Sequence, residues 1–186
     1  MVSFLQLWLP ILLSGVFVFI ASSVLNMVFK FWHMPDYRGF SNEDEISAAI
    51  RSSGASAGLY TIPHCSPESI QKPETLETFR QGPIAKIFLH KAGEMNMGTY
   101  LVQWFLFCLL VAIFCACLAA HALMPGAAFA QVFYVIGIAA VMGYGFGSLP
   151  NAIWWSHPWP SAIKYLIDGV IYGLITGATF AWLWPK

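Results

Sequence analysis

Apolar residues run almost unbroken through four stretches of the chain, at about 4–29, 98–122, 128–149 and 161–184. A helix needs about twenty such residues to cross the roughly 30 Å of hydrocarbon in a bilayer, so each stretch predicts one membrane span. The first, "MVSFLQLWLPILLSGVFVFIASSVLNMVFKF", lacks the basic start of a signal peptide and is too long for its apolar core. It is expected to remain as a span. "ALMPGAA" at 122–128 has room only for a tight turn, which makes spans two and three an antiparallel hairpin. "PNAIWWSHPWPS" at 150–161 joins spans three and four, and its prolines at 150, 158 and 160 are expected to end one helix and begin the next. Trp154, Trp155 and Trp159 suit an anchor at the headgroup level. Asn151 and His157 would then be polar contacts for whatever docks there.

Residues 31–97 break the apolar pattern. "SNEDEISAAIRSSG" has Ser41 three residues before Asp44 and ends at Gly54, which predicts a helix over about 42–53. "KPETLETFRQG" places Pro73 in a first turn and Gly82 as a stop, predicting a second. "GLYTI" (58–62) and "IAKIFLH" (84–90) are short runs of β-forming residues that can pair as strands. The expected fold class is an all-α membrane protein: a four-helix transmembrane bundle with a small extramembrane α+β cap at 31–97, between spans one and two.

Within the spans, small residues recur every fourth position. Gly169, Gly173, Gly177 and Ala181 line one face of span four, Ala139, Gly143 and Gly147 one face of span three, and Cys108, Ala112, Ala116 and Ala120 one face of span two. Lipid offers no hydrophobic driving force between helices, so such faces let backbones pack closely. They predict a tight bundle, or a seam between copies of the chain in a homo-oligomer.

Composition agrees with membrane residence: 58% of the 186 residues are hydrophobic and 10% charged, against about 25% charged in soluble domains. Nine basic residues balance nine acidic ones, leaving no clustered basic face for nucleic acid. Lys30 and Lys164 at span ends, with Lys86 and Lys91 nearby, outnumber Lys186 on the other side. The excess of lysine predicts that the cap and the 150–161 connection are cytoplasmic. Cys108, Cys115 and Cys117 lie in span two and only Cys65 lies outside, so no disulfide framework follows.

Asp168 is the one acidic residue inside a span, a costly placement that points to function. Lys164 precedes it by four residues, which predicts a local ion pair on one helix face. Asn26 and Gln103 near the same end, with Asn151, Lys164 and Asp168, make up a candidate polar pocket. His33, His64, His90 and His157, together with Cys65, fall on that side too. They are donors of the kind that hold zinc or copper, yet no HxxxH, CxxC or HExxH spacing is present. They are weak metal candidates, and no cofactor is expected. No span carries a histidine at its middle for haem, and no phosphate cradle or GxSxG elbow occurs. No catalytic residue is assigned.

"HMPDYRGFSNEDEI", "GLYTIPHC", "GPIA", "MGTYLVQWFLFCLL", "LPNAIWWSHPW" and "LIDGVIYGLITGATFAWLWP" together resemble the pattern of a family of uncharacterised bacterial four-span inner-membrane proteins. The resemblance covers nearly the whole chain. It implies the same topology and brings no established activity or catalytic residue. The expected function is a non-catalytic accessory or scaffold subunit in the lipid bilayer, meeting a protein partner or further copies of itself. A small-molecule or ion-handling protein, for transport or as a channel, with a polar site near Asp168 is the alternative. A metal-dependent membrane enzyme comes third.

Overall fold

A computed structural model describes residues 2–186. Four of its helices are long and apolar enough to cross a membrane: Phe4–Val28, Met97–Ala122, Phe129–Trp155 and Trp159–Trp182. The chain divides into two compact units. One runs up to Arg38 and resumes at Asn96; the other is Gly39–Met95.

The first span is not one uniform helix. A 3-10 turn at Phe4–Leu7 leads into α1 (Trp8–Ser23), which widens into a π turn at Val24–Val28. Phe29 then leaves helical geometry (φ −84°, ψ 65°), and a four-residue helix α2 (Lys30–His33) and a 3-10 turn (Met34–Asp36) follow. Polar side chains crowd the end of α1: Ser22 and Ser23 both donate to the Phe19 carbonyl at 2.8 Å, and the Asn26 amide donates to the Ser22 carbonyl at 2.9 Å. Side chains that compete for helix carbonyls in this way loosen the backbone ladder. The consequence is a change of direction at Phe29. Residues 31–38, assigned to the cap from the sequence, therefore belong to the helical unit.

The second span is α5 (Met97–Ala122), whose Asn96 side chain caps Thr99 N–H. Its row Cys108, Ala112, Ala116 and Ala120 is buried, along with Cys115 and Ala119. The third span is α6 (Phe129–Gly145) continued by α7 (Ser148–Trp155), and the fourth is α8 (Trp159–Trp182). α6 and α8 approach so closely that a Cβ on Gly169 would strike the Gly145 backbone. One on Gly173 would strike Val141 and come within 2.9 Å of the Gly137 carbonyl, and one on Gly177 would lie 2.8 Å from the Phe133 carbonyl.

The face of α6 that meets α8 is thus Phe133, Gly137, Val141 and Gly145, not the expected row of Ala139, Gly143 and Gly147. Gly143 instead faces Val111 of α5, 3.1 Å from an added Cβ, and Gly147 borders open space. The two rows are offset by two residues, about 200° around a helix of 3.6 residues per turn, so they are opposite faces. The glycine seam is filled within one chain.

The connection at 150–161 is mostly helix. Pro150 sits in the first turn of α7, where its missing N–H breaks no helical bond. The chain reverses at Ser156, in the left-handed region (φ 59°), with His157 N–H donating to the Asn151 carbonyl at 3.2 Å. At the other end of the bundle, Trp184 Nε1–H donates to the Met124 carbonyl at 3.0 Å and ties the C-terminal end to the 122–128 turn.

In the second unit, α3 (Glu43–Ser52) starts at Asn42 as N-cap, one residue later than the Ser41 spacing suggests. β1 (Gly58–Ile62) pairs antiparallel with β2 (Ala85–Leu89), placing Gly58 opposite Leu89 and Ile62 opposite Ala85. α4 (Pro73–Gln81) lies between them in sequence and ends at Gly82, whose φ of 63° suits glycine. None of residues 39–95 is fully buried.

Candidate functional site

Asp168 lies in the third turn of α8 and is only 2% exposed. A carboxylate so buried must be paired or hydrogen-bonded. Both of its oxygens are used by the segment that the Phe29 bend brings back onto α8: Trp32 Nε1–H donates to Oδ1 at 2.8 Å, and His33 Nε2 approaches Oδ2 at 2.6 Å. A carboxylate oxygen only accepts, which puts the His33 proton on Nε2. His33 is itself 5% exposed and stacks on Tyr165, ring centroids 4.7 Å apart.

Lys164 does not pair with Asp168, as the four-residue spacing suggests. Its Nζ donates instead to Asp36 Oδ1 at 2.6 Å and to the Trp32 carbonyl at 2.7 Å. The correction has a simple cause: the 30–36 segment supplies both a carboxylate for the lysine and N–H donors for Asp168. Lys164 donating to Asp36, with smaller help from Ser161 and His33, holds that carboxyl below the usual carboxylate range against the opposing effect of burial.

The two halves of the cluster meet at His33. Its Nδ1 lies 3.6 Å from Asp36 Oδ2, and neither atom has another hydrogen-bond partner. With the ring neutral, two lone-pair sites face each other there. With the ring protonated, the same contact becomes an attraction between imidazolium and carboxylate. The net charge of His33, Asp36, Lys164 and Asp168 is accordingly −1 or zero.

Asp168 also lines a cavity of about 660 Å3 within the helical unit. Its polar wall includes Ser22, Ser23 and Asn26, near the π turn. Trp104 contributes an indole whose N–H donates to Ser22 Oγ at 2.7 Å. A second cavity of about 360 Å3 adjoins Tyr144 and Tyr165 and is lined by Asn151 and His157. The rings of His157 and Tyr165 are 5.9 Å apart.

Of the candidate polar pocket, Asn26 and Asp168 share the larger cavity, Asn151 lines the smaller one, and Lys164 braces Asp36 beside them. Gln103 is exposed and lines neither. His64, Cys65 and His90 belong to the other unit, where His64 and His90 are exposed and Cys65 lines a small cleft of about 210 Å3. Among the described residues no three His, Cys, Asp or Glu side chains converge as metal ligands would. His121 bonds locally to the Cys117 carbonyl at 2.8 Å.

Trp32 and Tyr165 are site residues that sequence reasoning missed, and Asp36, noticeable beside His33 as a candidate metal ligand, is instead the partner of Lys164. The signal available was "WHMPD", which puts an indole, an imidazole and a carboxylate within five residues of a span end. No protein family, curated protein or solved structure matches the chain.

Proposed function

We propose that the protein is a multi-pass membrane protein that binds a small molecule in the cavity beside Asp168, the ligand-handling alternative drawn from the sequence. The observation that supports this reading is a buried carboxylate, held in place by Trp32 and His33, on the wall of a cavity of about 660 Å3. Ligand sites typically occupy about 300–1,000 Å3 and combine mostly apolar walls with a few placed polar groups. A charge inside a membrane bundle that served packing alone would be a costly choice. The test is native mass spectrometry of protein extracted in mild detergent, joined to a thermal-shift panel of amines, quinones and lipids. A bound species or a stabilising compound, lost in Ser23→Trp, is expected. Neither appearing in the wild type would overturn the reading.

The accessory-subunit reading is favoured by a different observation. The Gly39–Met95 unit exposes Leu59, Ile62, Ile70, Leu76 and Ile84. Such side chains suit contact with a protein partner, and a stable large complex in mild detergent is the outcome this reading expects. For placement we propose a bacterial inner membrane, with the 31–97 segment and the 150–161 connection on the cytoplasmic side, from the excess of Lys30, Lys86, Lys91 and Lys164 near those span ends.

A further inference from the structure

The charge class of the ligand follows from what surrounds the cavity, and it rests on the reading that the cavity holds a small molecule. Six of its thirteen lining residues carry aromatic rings: Tyr37, Tyr100, Trp104, Tyr144, Tyr165 and Tyr172. Trp104, Tyr144 and Tyr172 touch one another, with centroids 5.6–6.5 Å apart. Their planes cross steeply, at 80° for Tyr144 on Tyr172 and 64° for Trp104 on Tyr172, so this corner is walled by rings in several orientations. Among the described residues lining the cavity, Asp168 is the only carboxylate and there is no Lys, Arg or His.

The only formally charged group on this wall is negative, and ring faces presented to a guest act in the same direction. Aromatic faces carry negative potential, and Asp168, 2% exposed, places a carboxylate on the same wall. Lys164, one turn before Asp168 on α8, is taken up by Asp36 and the Trp32 carbonyl. The cluster's net charge is −1 or zero, never positive, and Asp168 is the member of it that lines the cavity. An anion would face Asp168 with no Lys, Arg or His on the wall to offset the repulsion. A neutral molecule would leave the charge unanswered, whereas a cation offsets it and gains from the rings. At about 660 Å3 the cavity is far larger than a metal ion and suits a molecule with apolar bulk.

We propose that the cavity binds a lipophilic organic cation, an amine or quaternary ammonium whose charge lies between Asp168 and the ring faces and whose apolar part fills the remaining volume. Aromatic residues around a quaternary ammonium are a recurrent solution to removing that charge from water.

The test uses the full chain in lipid nanodiscs and two probes of the same shape, phenyltrimethylammonium and its uncharged isostere tert-butylbenzene, with empty nanodiscs as the partition control. The cation should bind at least about tenfold more tightly than the isostere. Asp168→Asn should remove most of that preference. Because this variant also disturbs His33 and Trp32, the decisive one is Tyr100→Leu, on the first turn of α5 and 45% exposed. It should weaken the cation about threefold or more while Tyr100→Phe retains binding. Equal affinity for the two probes overturns the charge class and leaves the ligand reading standing. Binding of neither probe overturns the proposal, and a silent thermal-shift panel would take the ligand reading with it.

Discussion

At the residue scale, the cluster around Asp168 behaves as one unit because both Asp168 oxygens and the Lys164 ammonium find their partners on the 32–36 segment, leaving only His33 Nδ1 and Asp36 Oδ2 without one. His33 and Asp168 are both almost fully buried and 2.6 Å apart. Replacing either one with leucine should therefore destabilise the protein by about 3–5 kcal/mol, the usual cost of leaving one half of a buried pair. Changing both should cost less than the sum, with a coupling of about 0.5–3 kcal/mol in a double-mutant cycle, measured by unfolding in mixed micelles. A strictly additive result would mean that the contact contributes nothing. Asp36 yields a pH prediction. Its folded carboxyl lies below the ordinary value, so its contribution is complete above the unfolded carboxylate pKa of about 3.9 and is lost as pH falls through the folded value. Thermal midpoints taken from pH 6 downward should fall below about pH 4, and less so in Asp36→Asn. Asp168 as a functional position was legible in the sequence, since an acid inside an apolar span stands out. Its partners were not, because a spacing of four residues along a helix names Lys164 equally well whether or not a better carboxylate arrives from elsewhere.

At the scale of elements, the packing of α6 on α8 depends on glycines that have no room for a side chain. Gly169→Ala places a methyl group against the Gly145 backbone, which cannot yield as a flexible side chain could. Overpacking of this kind costs about 1–3 kcal/mol or more. Gly147→Ala meets nothing within 4 Å and should be neutral. The comparison of the two thermal midpoints in detergent checks the assignment of faces: equal losses would contradict it. Four-residue periodicity showed that small faces exist on spans two, three and four. It could not say which face of α6 turns to α8, because two rows with the same spacing lie on opposite sides of that helix. Proline carried a similar ambiguity: Pro150 reads as a breaker but stands in the first turn of α7, where proline is tolerated.

At the scale of the whole molecule, every residue of the Asp168 cluster and of its cavity comes from the stretches up to Arg38 and from Asn96 onward. Replacing residues 40–94 with a flexible Gly/Ser linker should thus preserve probe binding in nanodiscs to within about threefold, and complete loss would show that the site needs the second unit. The orientation can be checked with Ala55→Cys in a Cys65→Ser background: an impermeant thiol reagent should leave it unlabelled in intact cells, and labelling would reverse the proposed topology. The sequence by itself determined the four apolar helices and the short strands and helices between the first two, though not that the third would run on to Trp155. Those follow from local properties, the run of about twenty apolar residues and the turn chemistry of proline and glycine. Only the tertiary structure decided that the chain bends at Phe29, that Trp32 and His33 return to Asp168, and that Lys164 turns to Asp36. These contacts join residues more than 120 positions apart, and their partners are selected by which helix faces meet in space, a choice that no periodicity along one segment contains.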